Sequence, residues 1–308
     1  MVLQWILLAV GFAILIKGAD FFVDGAVGIA TRFGIPQLVI GLTIVAMGTS
    51  APEAAVSISA AAKGNADITI GNILGSNILN ILIILGITSV ITVLTVSVST
   101  VKFEIPFLLI VTAVLFLLGL DGKIGFLDGL VFIALLVGYI IYLLRLARTG
   151  GGSQEEENKK ELKLPIALIM TGAGVALIIF GSQITVNAAT EIAKAFGVSD
   201  RFIGLTVVAF GTSLPELVTS ITAAKKGNAD IAIGNVVGSN IFNIIFVVGI
   251  SALITTVPFT VSFRWDLMVS FVAAAALLAF CFKTKKLYKW AGIIFLAGYA
   301  AYFIFVLL

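Results

Sequence analysis

Two six-residue stretches set the chemical problem. Gly48-Thr49-Ser50-Ala51-Pro52-Glu53 returns as Gly211-Thr212-Ser213-Leu214-Pro215-Glu216, each time inside a long apolar run. An acidic side chain at the centre of a membrane helix costs about 2.5–3.5 kcal/mol on insertion scales. Either glutamate alone could be a helix-packing carboxyl; two in one repeated context point to a functional site. Proline donates no hydrogen bond and clashes with the carbonyl four residues back. Pro52 and Pro215 are therefore expected to break their helices, with Gly48 and Gly211 weakening them further. Carbonyls freed at that depth must be buried in protein or face a hydrated cavity. They would meet the hydroxyls of Thr49, Ser50, Thr212 and Ser213 and the carboxylates of Glu53 and Glu216. All are hard oxygen donors, suited to sodium and calcium and poorly suited to zinc or copper.

A second duplicated motif follows. Gly71-Asn72-Ile73-Leu74-Gly75-Ser76-Asn77-Ile78-Leu79-Asn80 is answered by Gly234-Asn235-Val236-Val237-Gly238-Ser239-Asn240-Ile241-Phe242-Asn243. Ser76 and Asn80 are one helical turn apart and share a face, as do Ser239 and Asn243. Each face adds neutral oxygen ligands, and the glycines allow close helix approach. With two carboxylates and no basic residue in the motifs, the site carries a charge of about −2. One calcium ion or two sodium ions would neutralise it, and hydroxyls and carbonyls could hold a third sodium. Cations that compete for shared ligands become coupled, because moving an uncompensated buried charge is too costly. Plainer roles compete for some of these residues. Serine and threonine often bond their own helix backbone. Asn72, Asn77, Asn235 and Asn240 are read first as helix bridges, and Asp67 and Asp230 as helix N-caps.

The elements that must position these groups follow from composition. Of 308 residues, 60% are hydrophobic and 11% charged, against about 25% charged in soluble proteins. The fold class is an all-α polytopic membrane protein; the runs are continuous and do not alternate as barrel strands would. A net charge of +3 gives no reason to expect a nucleic-acid partner, and the chain has one cysteine, Cys281, and no histidine. That excludes an intrachain disulfide, a multi-cysteine metal site and a histidine proton shuttle. Ten spans are expected near 2–32, 36–62, 68–94, 103–120, 125–147, 164–195, 200–224, 231–256, 265–282 and 288–307, the first being a retained membrane helix and not a cleaved signal.

The Gly-rich, then charged run 150–163 reads as a solvated linker between two halves, 1–149 and 164–308. The halves are copies: 41–87 aligns with 204–250 without a gap, at an offset of 163 residues, with about two-thirds of positions identical. Five spans per half make the second copy enter from the opposite face, an inverted-topology repeat. With the N-terminus outside, the inner loops collect Arg32, Lys102, Arg145, Arg148, Lys159, Lys160, Lys163, Lys225, Lys226, Lys283, Lys285, Lys286 and Lys289. The outer loops hold Lys63, Lys123, Lys194, Arg201 and Arg264, so the positive-inside rule places both termini extracellularly. Lys17, within the first span, is expected to snorkel or to pair with Asp20 or Asp24.

The two motifs, duplicated across both halves, resemble the sodium/calcium exchanger family of the cation/calcium exchanger superfamily, in its short-loop prokaryotic form. The resemblance implies an ion site centred on Glu53, Asn80, Glu216 and Asn243. It further implies hydroxyl ligands at Thr49, Ser50, Ser76, Thr212, Ser213 and Ser239 and carbonyl ligands at Ala46 and Ala209. It implies that the first and sixth helices slide against the remaining bundle. Potassium-dependent relatives carry Asp where this chain has Asn243, and proton-coupled relatives a Glu where it has Gly75 or Gly238, which argues against both ions. The expectation is an electrogenic sodium-for-calcium antiporter of the cell membrane, acting as a monomer without a cofactor. Potassium-dependent or calcium/proton exchange is the nearest alternative, followed by a cation channel; an intramembrane enzyme lacks any further supporting chemistry.

Overall fold

The computed structural model describes residues 2–149, 162–197 and 209–307. Apart from two pairs of two-residue strands, its regular structure is helical. Helix α1 runs Val2–Phe33 and α7 runs Leu164–Ala195. Both stop at glycines with left-handed backbone, Gly34 at φ 62° and Gly197 at φ 78°, a conformation that only glycine adopts without strain. Helices α2 (Gln37–Thr49) and α3 (Ala51–Ala62) are one apolar run bent by 52° at Ser50. The proline-led break recurs between α8 (Ala209–Thr212) and α9 (Leu214–Lys225), with Pro52 and Pro215 in the first turns of α3 and α9.

The remaining spans are α4 (Ala66–Ile91), α5 (Thr100–Asp121), α6 (Phe126–Thr149), α10 (Ala229–Ile254), α11 (Val261–Phe282) and α12 (Lys289–Leu307). Among the described residues, seven helices are long and apolar enough to cross a membrane, the bent α2–α3 pair makes an eighth, and α12 is a shorter apolar helix. The expected seventh span begins at residue 200; its portion 200–208 lies outside the described residues, as do Arg201 and positions 150–161 of the linker with Lys159 and Lys160. Helix α5 starts before the expected 103 because Ser97 and Thr100 hydroxyls bond each other at 2.9 Å and open a π turn at Thr100–Glu104.

Helices α1 and α7 cross through glycines. A Cβ on Gly18 would stand 2.8 Å from Ile178 N, one on Gly181 2.7 Å from Leu15 N, and one on Gly25 2.6 Å from Thr171 N. Residue numbers fall along α7 as they rise along α1, so the two helices are antiparallel with their backbones in contact. The other helices bury α4 and α10 at the centre, and the halves exchange partners. A Cβ on Gly129 of α6 would lie 3.0 Å from Gly249 O on α10, and one on Gly292 of α12 would lie 2.6 Å from Gly86 O on α4. The strand pairs cross in the same way. Strand β1 (Leu94–Thr95) pairs with β4 (Lys286–Leu287), and β2 (Lys123–Ile124) with β3 (Val257–Pro258).

One local expectation changes. The N-cap positions of α4 and α10 are Asn65 and Asn228, without side-chain cap bonds, while Asp67 and Asp230 sit inside the first turns. Gly64 and Gly227 take left-handed backbone just before these caps, and the aspartates, in the first turns, stand at the positive ends of the helix dipoles. Lys17 pairs with Asp20 at 3.9 Å, one of the two partners expected for it, and Asp24 is held by Lys226 at 2.7 Å.

Candidate cation site

The two helix breaks place their first-turn carboxylates in the middle of the bundle, each at the positive end of a helix. Glu53 and Glu216 are both 0% exposed. Each is held by the other half. Ser50 Oγ donates to Glu216 Oε1 at 2.8 Å, and Ser213 Oγ donates to Glu53 Oε1 at 3.4 Å. The two serines are thus used across the repeat boundary and not on their own helix backbones. Ser76 Oγ lies 3.3 Å from Ser213 Oγ, and Ser239 Oγ donates to the Ala46 carbonyl at 3.4 Å. Thr49 keeps to its own helix in part: its hydroxyl is 3.1 Å from the Val45 carbonyl and 3.0 Å from Asn235 Oδ1. Thr212 is half-buried and lines a cavity beside Pro52. Ala209 is the first described residue of α8, whose last residue, Thr212, precedes the break at Ser213.

Asn80 and Asn243 complete the centre. Each is buried and begins a π turn, Asn80–Leu85 or Asn243–Val248, of the kind that is frequent at functional sites. Asn80 Nδ2 donates to Asn240 Oδ1 at 2.9 Å, and Asn243 Nδ2 donates to Asn77 Oδ1 at 3.1 Å. With both donors tied down, the amide oxygens are left for something else. Among the described residues nothing bonds Glu53 Oε2, Glu216 Oε2, Asn80 Oδ1 or Asn243 Oδ1, all of them buried. Four orphaned oxygen acceptors in one buried cluster need a cation or a set of protons. The donor set matches that of hard-cation sites.

Sequence reasoning found the ligand candidates more readily than the frame around them. Asn72 Nδ2 donates to Ser57 Oγ at 2.9 Å and reaches the Glu53 carbonyl at 3.4 Å; Asn235 does the same to Ser220 at 3.0 Å and the Glu216 carbonyl at 3.4 Å. Asn77 and Asn240 donate to one another's backbone carbonyls, at 3.2 and 3.0 Å. All four asparagines are helix bridges, the plainer of their two expected roles. Ser57, Ser220 and the two π turns escaped notice, although Ser57 and Ser220 are themselves a repeated pair. Another missed residue is Ser182 of α7, which donates to the Gly211 carbonyl at 3.0 Å. That carbonyl is the one Pro215 leaves without its helical donor.

An apolar helical bundle enclosing an oxygen-lined, doubly acidic site defines a cation-handling membrane protein. The family model for sodium/calcium exchanger protein matches residues 3–145 and again 166–308. The chain belongs to the sodium/calcium exchanger family. It is 38% identical over 263 residues to the inner membrane protein YrbG of Escherichia coli, covering 83% of this chain and 81% of that one. The sodium/calcium exchanger MaX1 of Methanosarcina acetivorans is 28% identical, with 98% and 97% covered. Among solved structures, the sodium-calcium exchanger NCX_Mj, soaked with zero sodium and calcium, superposes with a TM-score of 0.87 at 33% identity, covering 99% of each chain. YrbG is named as an inner membrane protein and MaX1 and NCX_Mj as sodium/calcium exchangers, and this chain is a multi-pass membrane protein of the same family.

Proposed function

We propose that this chain is a secondary-active antiporter that exchanges several sodium ions for one calcium ion across the cell membrane, by alternating access and with net movement of charge. The four partnerless buried oxygens of Glu53, Glu216, Asn80 and Asn243 carry this reading. The two carboxylates supply the charge that a single calcium ion, or two sodium ions, compensates. The amide oxygens and the hydroxyls of Thr49, Ser50, Ser76, Thr212, Ser213 and Ser239, with the carbonyls of Ala46 and Ala209, fill the remaining coordination without adding charge. A third sodium ion on these neutral oxygens makes the exchange electrogenic.

In the same reading the ten spans form two inverted five-helix repeats, 1–149 and 164–308, joined by a cytoplasmic linker at 150–163. Both termini are extracellular, and the protein works as a monomer. The antiparallel α1–α7 pair slides over the bundle to expose the site to one side and then the other. Its glycine contacts support this, because few side-chain knobs must be lifted from their holes. Only a cation-loaded, charge-compensated site makes the crossing at acceptable cost.

The test is calcium uptake by sodium-loaded vesicles containing the purified chain. Uptake is expected when sodium outside is low, and it is expected to persist without potassium and without a pH gradient. Uptake that ignores the sodium gradient indicates a channel. Uptake that follows the pH gradient or requires potassium assigns the other exchange modes.

A further inference from the structure

On the face of the bundle that carries Arg32, α1 is tied to the core by an ion-pair cluster that the ion site does not use. Lys226, at the C-terminal end of α9, places Nζ 2.7 Å from Asp24 Oδ1 and 3.2 Å from Asp20 Oδ1, and donates to the Asp20 carbonyl at 3.1 Å. The three side chains are 29%, 47% and 33% exposed, respectively. Lys226 and Asp24 border a cavity of about 420 Å3, lined also by Val27, Gly28, Thr31 and Met170. Lys17, 3.9 Å from Asp20, is the remaining charged neighbour and points largely into the surroundings.

The repeat offers an internal comparison. The counterparts of Asp20 and Asp24 are Gln183 and Asn187 on α7, and the counterpart of Lys226 is Lys63, all three exposed. Gln183 and Asn187 line a second cavity, of about 180 Å3, that reaches Pro52, Gly211 and Thr212, the immediate neighbours of the ion-site carboxylates and hydroxyls. Because α1 and α7 are antiparallel, the two polar pairs lie toward opposite ends of the helix pair. One end therefore has neutral amides lining a path to the site. The equivalent positions at the other end are acidic and clasped by an ammonium from the core.

We propose that Lys226 is a positioning residue of the transport cycle: it clasps Asp20 and Asp24 and so holds shut the access path on its own face, biasing the molecule toward the state open at Gln183 and Asn187. The proposal rests on the alternating-access reading above. When α1 slides, Lys226 must leave both carboxylates, which then line the newly opened path as a cation-attracting rim. Half-exposed ion pairs are weak enough to break in every cycle. A cation arriving from that face competes for the same carboxylates and so favours opening. Neutral amides at the opposite end make no such pair with Lys63, and the bias is one-sided. A contact present in one state and absent in the other shifts the two populations by its differential strength.

The experiment uses the full chain in nanodiscs, in the background Cys281→Ser, with a reporter thiol at Val27→Cys or at Gln183→Cys and a membrane-impermeant thiol reagent in sodium- and calcium-free buffer. Lys226→Met should raise the ratio of Val27→Cys to Gln183→Cys labelling rates about two- to fivefold, and Lys226→Arg should restore it. Asp24→Asn, which weakens the same clasp without removing the lysine, should move the ratio in the same direction and decides the matter if Lys226→Met does not fold. An unchanged ratio in Asp24→Asn and in any Lys226→Met that folds overturns the proposal. So does an equal shift in Lys226→Arg. Labelling reads helix position without any flux. A chain that fails to exchange sodium for calcium yet shows the shifted ratio would therefore sink the ion assignment and leave the clasp standing.

Discussion

Glu53 and Glu216 each keep one oxygen tied to a serine of the opposite repeat and one oxygen free. That division explains why the two motifs must be duplicated: each supplies a carboxylate and the hydroxyl that orients the other's. Glutamine at either position keeps shape and removes half the site charge. Glu53→Gln is expected to lower calcium affinity roughly a hundredfold, about 2–3 kcal/mol for a charge-assisted contact, and Glu216→Gln should do the same, since their environments are reciprocal. Calorimetric titration of each variant with calcium measures this; a variant that binds calcium as tightly as the parent removes that glutamate from the site. Both glutamates could be identified from the chain alone, because buried charge in an apolar run is conspicuous. Asn72 and Asn235 were legible as helix bridges but not by partner: that they hold Ser57 and Ser220 depends on which helices meet, which the chain order does not state.

At the scale of elements, the proline breaks do two jobs. They end α2 and α8, and they present Glu53 and Glu216 from the first turns of α3 and α9. The cost is a carbonyl without its helical donor. Ser182 of α7 repairs it at Gly211; the repeat-equivalent position on α1 is Ala19, which has no hydroxyl to offer Gly48. Ser182→Ala is therefore expected to cost about 1–3 kcal/mol, the penalty for a stranded buried acceptor, read as a lowered unfolding midpoint in detergent. No loss of stability would mean that the Gly211 carbonyl finds another donor. The π turns at Asn80 and Asn243 belong to the same scale. Nothing in their apolar composition distinguishes them from α-helix; packing against the opposite repeat selects them.

For the whole molecule, the proposed exchange of three sodium ions for one calcium ion predicts a dependence on voltage. A net charge carried per cycle contributes about 2.3 kcal/mol per 100 mV. Calcium uptake into sodium-loaded vesicles should therefore slow when the membrane potential opposes the net movement of sodium charge and quicken when it assists. Equal initial rates at both potentials would establish an electroneutral exchange and exclude the third sodium ion. The two halves are also interlocked. Helices α6 and α12 each pack on the central helix of the other repeat, and β1 and β2 each pair with a strand of the other repeat.

The chain alone determined the membrane class, the duplication, the helix breaks and the oxygen donors, because each leaves a local mark: an apolar run, a fixed offset, a proline, a charge where none should be. Tertiary structure decided which of those donors are spent on holding the protein together and which are left buried without a hydrogen-bond partner. That division depends on contacts such as Ser50 with Glu216 and Asn80 with Asn240, whose partners are 166 and 160 residues apart. Tertiary structure likewise decided that Lys226 reaches back across 202 residues to Asp24. A hydrogen bond depends on distance and angle in space, and neither is written in the order of residues along the chain.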